Sequence, residues 1–160
     1  MNRIGFGYDS HRFEAGRPLV LAGVKLPGER GLAGHSDGDA ALHALMDAML
    51  GAAGLGDVGE HFPPTDERFR NADSAALCTE VVALLAQMGW VVVNADLTIV
   101  TEEPHLAPHK QAMRDRVGDL LGLDTVAVSV KAKTNEKMDA IGAGEGLAAY
   151  AVVLLEELGE

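Results

Sequence analysis

The first candidate for chemistry in this sequence is a pair, Asp9 and His11, that follows a short run of alternating apolar residues. In an extended chain, residues i and i+2 project from the same face, so both side chains can reach one point. A carboxylate oxygen and an imidazole nitrogen are ligands that Zn²⁺ accepts, but a catalytic zinc site also requires a third protein ligand and an open position. The pair alone is equally compatible with a structural or surface role.

A third ligand could come from any of the other histidines, which are His35, His43, His61, His105 and His109. His43 is favoured by its neighbours, because Asp39 and Asp47 lie one helical turn before and after it. A carboxylate there could accept the second N–H of a zinc-bound imidazole and fix its tautomer. The same pattern also describes the polar stripe of an amphipathic helix, and both interpretations stay open at this point.

Two loops carry further polar groups. Residues 55–59 place Asp57 among flexible glycines, which suits the binding of sugar hydroxyls. Residues 131–137 contain three lysines together with Thr134 and Glu136, a composition that suits a phosphate and a cation. Either segment could instead be a solvated turn.

Composition limits the possible partners. The chain has 160 residues and a formal net charge of −11, which argues against nucleic acid as a partner because phosphate binding needs clustered Lys and Arg. A phosphorylated substrate would therefore require a metal ion or backbone N–H groups. No apolar run reaches the roughly 20 residues of a membrane helix and the first residues do not form a signal peptide, so we expect a cytoplasmic protein without a membrane partner. Cys78 is the only cysteine and is predicted to be a buried packing residue.

Apolar periodicity predicts the elements that carry these residues. They form the order β-β-α-α-β-α-β-β in a single domain over residues 1–160, with a fold of the α+β class: one mixed sheet of the α/β type and helices mainly on one face. Irregular loops are expected over residues 57–72 and 134–146. The strands are predicted over residues 3–8, 19–26, 90–101, 126–132 and 147–158; the helices are predicted from Asp39 to Gly54, from Asp73 to Gly89 and from Pro108 to Gly122.

Taken together, several segments resemble the 2-C-methyl-D-erythritol 2,4-cyclodiphosphate synthase family in order and spacing. The segment Gly34–Leu45, with its sequence GHSDGDAALHAL, is the most specific of them, and the resemblance spans roughly residues 3 to 155. The other matching segments are residues 5–13, 55–59, 62–66, 96–99 and 144–146.

The resemblance implies a metal-dependent lyase that cyclises its substrate by phosphoryl transfer, in the non-mevalonate route to isoprenoid precursors. Such an enzyme converts 4-diphosphocytidyl-2-C-methyl-D-erythritol 2-phosphate to 2-C-methyl-D-erythritol 2,4-cyclodiphosphate and releases CMP. The 2-phosphate of the substrate is the nucleophile, so catalysis rests on positioning and charge neutralisation. The resemblance also implies a homotrimer with active sites between neighbouring subunits.

The same resemblance assigns roles to residues. Asp9, His11 and His43 match the ligands of a zinc-like ion, and Glu136 matches the ligand of a magnesium or manganese ion that bridges the diphosphate. His35 and Thr134 match catalytic groups that orient phosphate and stabilise charge. The matching substrate contacts are Ser36 for the 2-phosphate, residues 57–59 for hydroxyl groups, and residues 101–107 for cytosine through backbone groups. The full set of implied substrate contacts is Asp9, Ser10, His11, His35, Ser36, Asp57, Val58, Gly59, Phe62, Pro63, Pro64, Thr65, Asp66, Thr101, Glu102, Glu103, Pro104, His105, Leu106, Ala107, Lys133, Thr134, Asn135 and Glu136.

This sequence departs from the family pattern at three positions. Lys133 replaces a residue that usually carries a hydroxyl, Ala143 replaces an arginine, and Ala140 replaces an aromatic residue. We expect Lys133 to supply part of the missing positive charge. Two other functions are compatible with the same residues: a metal-dependent phosphohydrolase, which would release inorganic phosphate, and a non-catalytic module that binds a nucleotide or an isoprenoid diphosphate.

Overall fold

The computed structural model describes residues 1–159, in which four strands come first, three helices follow, and strands and helices then alternate. The strands are β1 (Asn2–Ala15), β2 (Leu19–Leu21), β3 (Val24–Leu26), β4 (Arg30–Leu32), β5 (Trp90–Val100), β6 (Val128–Lys133) and β7 (Gly146–Glu157). The helices are α1 (Ala40–Ala53), α2 (Val58–His61), α3 (Ser74–Gln87), α4 (Lys110–Leu121) and α5 (Asp139–Gly142). No helix within residues 1–159 combines the length and hydrophobicity that crossing a bilayer requires.

The central feature is a five-stranded sheet with the order β4-β1-β7-β5-β6. The β5–β6 pair is parallel and the other pairs are antiparallel, so the sheet is mixed. Helix α1 packs across β1, β7 and β5, and α3 packs against α1 and β5. This arrangement confirms the predicted α+β fold class with one principal mixed sheet. Cys78 of α3 is fully buried, as predicted.

The structure corrects the prediction for residues 19–26, which form a hairpin and not one strand. Ala22 and Gly23 both have positive φ, 50° and 73°, and turn the chain back between β2 and β3. These two strands pair only with each other, as a separate two-stranded sheet. The apolar content of the segment resembles that of a continuous strand because both arms of the hairpin face the core.

Strand β1 is longer than predicted, and three short elements were not predicted: α2 and α5 fall in segments predicted to be irregular, and β4 lies between predicted elements. Polar residues interrupt the apolar alternation after Tyr8, but main-chain pairing with β7 continues as far as Arg12 opposite Gly146. Backbone hydrogen bonds to a neighbouring strand therefore maintain the strand where the side-chain pattern ends.

Helix α1 lies unusually close to β1 because the strand has glycine at the two contact positions. A Cβ atom on Gly5 would lie 1.8 Å from the carbonyl oxygen of Ala48, and one on Gly7 would lie 1.8 Å from the carbonyl oxygen of Ala44. Both distances are far below van der Waals contact, so no other residue type fits without moving the helix. The next two residues of β1 on the same face are Asp9 and His11.

The start of α1 is fixed by Asp39, whose side chain is fully buried. Its carboxylate accepts hydrogen bonds from the backbone N–H groups of Leu42 (3.0 Å), Ala22 (2.9 Å) and Gly23 (2.7 Å). The first bond caps the helix, and the other two tie it to the β2–β3 turn. Asp39 therefore holds the helix that carries His43 in its place.

The sheet face opposite the helices is open and apolar along β1 and β7. Ile4 is 75% exposed and Phe6 63%, and the face continues with Tyr8, Tyr150 and Val152. The rings of Tyr8 and Tyr150 lie 5.1 Å apart across the two strands. Within a single chain, β7 is therefore buried on only one of its two faces.

Candidate active site

Three side chains from two elements converge on one point beside the end of the sheet. Asp9 and His11 lie on β1, and His43 lies on the first turn of α1, which packs over that strand. The Oδ2 atom of Asp9 lies 2.7 Å from Nε2 of His11 and 3.0 Å from Nδ1 of His43. Within residues 1–159 this is the one group of three or more acidic, His or Cys residues whose ligand atoms all lie within 4.8 Å of one another.

The tautomer of His11 is set by a main-chain carbonyl. Its Nδ1 atom lies 2.6 Å from the oxygen of Ala33, which can only accept a hydrogen bond. Nδ1 therefore carries the hydrogen, and the lone pair of a neutral imidazole is left on Nε2, directed at Asp9. A lone pair that faces a carboxylate oxygen at 2.7 Å requires a cation, either a proton or a metal ion, between them.

The pKa values of Asp9 and His11 are shifted in the directions that a cation-binding site requires. Burial alone would raise the pKa of Asp9, but hydrogen bonds from His11 and His43 outweigh it and lower the pKa to about 2. Burial would lower the pKa of His11, but the hydrogen bond and the charge of Asp9 outweigh that effect and raise it. At neutral pH, Asp9 is therefore a carboxylate with a full negative charge at the centre of the group.

The residues present fit a tetrahedral divalent metal ion. Ligand atoms about 2.0–2.1 Å from Zn²⁺ are about 3.3 Å from one another in a tetrahedron. The distances of 2.7 and 3.0 Å around Asp9 would lengthen by about 0.6 and 0.3 Å to reach that value. Two imidazoles and one carboxylate are a donor set of the catalytic zinc type, which leaves a fourth position free.

The hydrogen-bond partner of His43 is not the one predicted. Asp39 caps α1, and Asp47 accepts a hydrogen bond from the backbone N–H of Val58 at 2.7 Å, so neither carboxylate contacts the imidazole. The Nε2 atom of His43 lies instead 3.0 Å from the hydroxyl of Ser74 and 3.2 Å from that of Ser36. Helical spacing along α1 could not reveal Ser74, because this residue belongs to another helix.

A cavity opens directly beside the metal-ligand group, and several residues assigned by resemblance line it. His35 and Ser36 contribute polar groups, and the imidazole of His35 is held 3.2 Å from the carbonyl of Asp66. The remaining wall is largely apolar. The lining residues are His11, His35, Ser36, His43, Val58, Gly59, Phe62, Pro64, Phe69 and Leu77.

Four of the predicted contacts in residues 57–66 do not line this cavity. Asp57 caps α2 through the backbone N–H of Glu60, at 3.0 Å, and remains exposed. Both carboxylate oxygens of Asp66 accept hydrogen bonds from the guanidinium of Arg68, which lower the pKa of Asp66. Pro63 and Thr65 lie between residues that line the cavity but do not line it themselves.

A second cavity lies where the parallel strands β5 and β6 end. The lining residues are Thr101, Glu102, Pro104, His105, Leu106, Ala107, Lys110, Ala132, Lys133 and Thr134. Most of the residues predicted to contact cytidine diphosphate therefore share one cavity, with Lys133 and Thr134 on its wall. Of the segment 101–107, Glu103 alone is not part of that wall.

Glu102 has a structural role that the sequence did not reveal, because its side chain binds the backbone of a distant turn. Its Oε1 atom accepts hydrogen bonds from the backbone N–H groups of Asn135 (2.9 Å) and Lys137 (3.1 Å). These two residues flank Glu136, whose φ of 51° places it in the left-handed region. Glu102 therefore holds the turn that presents the exposed carboxylate of Glu136.

The two cavities are separate within one chain. In the sheet, Ser10 of β1 pairs with Ala148, Ala148 with Val100, and Val100 with Lys133. Three strand spacings, or about 14 Å, therefore separate the strand that carries Asp9 and His11 from the strand that leads to Thr134. Among residues 1–159, none lines both cavities.

The profile of the YgbB family matches residues 2–156. The chain belongs to the YgbB family. A relative from Symbiobacterium thermophilum, named 2-C-methyl-D-erythritol 2,4-cyclodiphosphate synthase, is 59% identical over 152 residues, which cover 95% of this chain and 97% of the relative. A synthase of the same name from Chromobacterium violaceum is 53% identical, with 98% and 99% of the two chains covered.

Solved structures share the fold of this YgbB-family chain. The bifunctional IspDF of Campylobacter jejuni matches with a TM-score of 0.95 and 42% identity, covering 99% of this chain and 43% of that longer protein. A 2C-methyl-D-erythritol-2,4-cyclodiphosphate synthase in its CDP-bound form matches with a TM-score of 0.89 and 43% identity, covering 96% of this chain and 100% of that one. The family and its fold thus agree with the resemblance seen in the sequence.

Proposed function

We propose that this chain catalyses the reaction for which its relatives are named. It would convert 4-diphosphocytidyl-2-C-methyl-D-erythritol 2-phosphate to 2-C-methyl-D-erythritol 2,4-cyclodiphosphate with release of CMP. The observation that carries the proposal is the Asp9–His11–His43 group beside a cavity lined by His35 and Ser36, in a chain of the YgbB family. A second cavity of suitable composition would hold the cytidine diphosphate part.

The residues of the chain supply positioning and charge. Asp9, His11 and His43 would hold a zinc ion, and Glu136 a magnesium or manganese ion. When bound, such cations neutralise charge on phosphoryl oxygens and make the phosphorus more electrophilic. His35 and Ser36 offer hydrogen bonds to a phosphate in the first cavity, and Thr134 and Lys133 offer a hydroxyl and a positive charge in the second. Bringing the two reacting groups together accounts for much of the expected rate enhancement.

The separation of the two cavities supports a shared site in a homotrimer. Within one chain, about 14 Å separates the strand that carries Asp9 and His11 from the strand that leads to residues 134–136, whereas both cations are expected to act on one diphosphate. If neighbouring chains are related by cyclic symmetry, the first cavity of one can face the second cavity of the next. The open apolar face with Phe6, Tyr8 and Tyr150 offers the surface for such contacts.

Product analysis tests the reaction. Mass spectrometry after incubation with the cytidine substrate and Mg²⁺ should show CMP and the cyclic diphosphate in equal amounts. Inorganic phosphate in place of the cyclic product would identify a phosphohydrolase. Binding of the nucleotide without turnover would identify a non-catalytic module. A cytoplasmic location, which we also propose, can be checked by cell fractionation.

Mixing two inactive variants tests the shared site. Chains with His43→Ala and chains with Glu136→Gln are unfolded, mixed in equal amounts and refolded together. If each site takes its metal ligands from one chain and Glu136 from the next, about a quarter of all sites in the refolded mixture contain both intact halves. The mixture should then recover about a quarter of the parent activity. A mixture as inactive as its components would show that each chain forms its own complete site.

Lys133 provides a test of this chain's departure from its family. Its side chain is exposed at the wall of the second cavity and has no carboxylate partner within residues 1–159. A charge-assisted contact contributes about 1.5–3 kcal/mol, so Lys133→Thr should lower kcat/KM by roughly ten- to a hundredfold. Lys25→Thr, an exposed lysine on β3 outside both cavities, is the control. Unchanged kcat/KM in Lys133→Thr would make Lys133 an ordinary surface residue.

A further inference from the structure

A chain of hydrogen bonds leads from His43 into the interior of the protein. Its Nε2 atom lies 3.0 Å from the hydroxyl of Ser74, the first residue of α3, which is fully buried. The Ser74 hydroxyl also forms a short hydrogen bond to the Oδ1 atom of Asp37. The other oxygen of Asp37 accepts from the backbone N–H of Ser74 at 3.0 Å, so the carboxylate is held in one orientation.

The proton positions along this chain follow from its chemistry. A hydroxyl has one hydrogen, and beside a carboxylate that hydrogen goes to Asp37. The Ser74 oxygen is then an acceptor toward His43, which must donate its Nε2 hydrogen. The lone pair of the neutral His43 imidazole is thereby fixed on Nδ1, which is the atom that faces Asp9 at 3.0 Å.

We infer that Ser74 and Asp37 are positioning residues that set the metal affinity of the Asp9–His11–His43 group. They fix the tautomer and ring orientation of His43, and the negative charge of Asp37 makes that imidazole a better ligand. His11 is oriented by the uncharged carbonyl of Ala33, so the two imidazoles are supported differently. This inference rests on the metal binding proposed above.

The second serine near His43 has a different role. The hydroxyl of Ser36 lies 3.2 Å from Nε2 of His43 and is a weaker partner than Ser74. Its one other polar contact within residues 1–159 is a long hydrogen bond, 3.4 Å, that it accepts from the backbone N–H of Gly38. Its own hydrogen is not committed to a carboxylate, and Ser36 lines the open cavity, whereas Ser74 does not. Ser36 is therefore free to turn toward a ligand, while Ser74 serves the metal site.

Zn²⁺ affinity of the metal-free protein, measured by competition with a chromophoric chelator, tests the inference without using activity. Ser74→Ala should weaken Zn²⁺ binding by about 10- to 100-fold, the usual cost of losing an outer partner of a ligand. Asp37→Asn should also weaken it, because the amide keeps an acceptor but loses the charge. Thr79→Ala is the matched control: Thr79 lies on the same helix, and its hydroxyl donates to the carbonyl of Ala75.

The controls separate this inference from the proposed metal site. Zn²⁺ affinity in Thr79→Ala should stay within about twofold of the parent, as is usual for surface substitutions. His43→Ala locates the site: if the parent binds Zn²⁺ and this variant does not, the metal assignment holds whatever Ser74 does. Affinity within about threefold of the parent in both Ser74→Ala and Asp37→Asn would overturn the inference. If Ser74→Ala does not fold, the affinity of Asp37→Asn alone decides between the two outcomes.

Discussion

Replacement of His43 by alanine is expected to abolish turnover and to remove the metal ion. Two ligands, Asp9 and His11, do not hold a tetrahedral ion as three do. Without the cation, the transition state loses several kcal/mol of stabilisation of its negative charge. The value of kcat/KM should therefore fall by roughly a thousandfold or more. Steady-state kinetics and metal analysis of the purified variant measure the two effects.

The same variant should keep its fold. The side chain of His43 is 15% exposed, its hydrogen-bond partners are other side chains and not the backbone, and alanine is the best helix former. Circular dichroism and thermal unfolding should therefore resemble those of the parent. His109→Ala, a histidine outside the metal-ligand group, should retain both activity and metal. Full activity and full metal content in His43→Ala would remove His43 from the site.

Glu136→Gln should lower kcat by at least roughly a hundredfold while the ion at Asp9, His11 and His43 stays bound. The amide has the shape of the carboxylate but not its charge, and magnesium has few protein ligands, so losing one is costly. Glu136 is exposed, so stability should not change. Higher Mg²⁺ concentrations should partly restore the rate, because the defect lies in binding that cation.

Metal analysis distinguishes the two cation sites in this experiment. Zinc content equal to that of the parent, together with the loss of rate, supports two separate sites. Loss of zinc in Glu136→Gln would contradict that division. Glu80→Gln is the control, since Glu80 is an exposed carboxylate of α3 that lines neither cavity.

Local rules predicted only part of the ligand group, and the family resemblance supplied His43 as its third member. Asp9 and His11 share a face by the period of a strand, and Asp39 marks the start of the helix that carries His43. The sequence could not predict Ser74 or Asp37 as partners of His43, because the contact joins the loop before α1 to the start of α3. Contacts between elements depend on packing, and periodicity along one element does not contain that information.

The loop before the last strand shows a similar limit. Residues 134–146 contain glycines and charges and lack an apolar period, so they were predicted to be irregular. Their turn is nevertheless specific, because the carboxylate of Glu102, 33 residues before Asn135, holds two of its backbone N–H groups. A positive φ at Glu136, Lys137 and Asp139 is a conformation that propensity does not anticipate for these residue types.

The close contact of α1 with Gly5 and Gly7 has a consequence for how the site can vary. The distance between the helix and the strand is set by main-chain atoms in contact and not by the volume of side chains. Asp9 and His11 extend from that strand and His43 extends from that helix. The distance between the helix and the strand therefore sets the distances between the metal ligands. Substitutions elsewhere in the core can change its side-chain packing and leave the ligand spacing as it is. Gly5 and Gly7 therefore fix the spacing of the metal ligands. Of the glycines in this chain, they are the two at which an added Cβ atom would make the shortest contact, 1.8 Å.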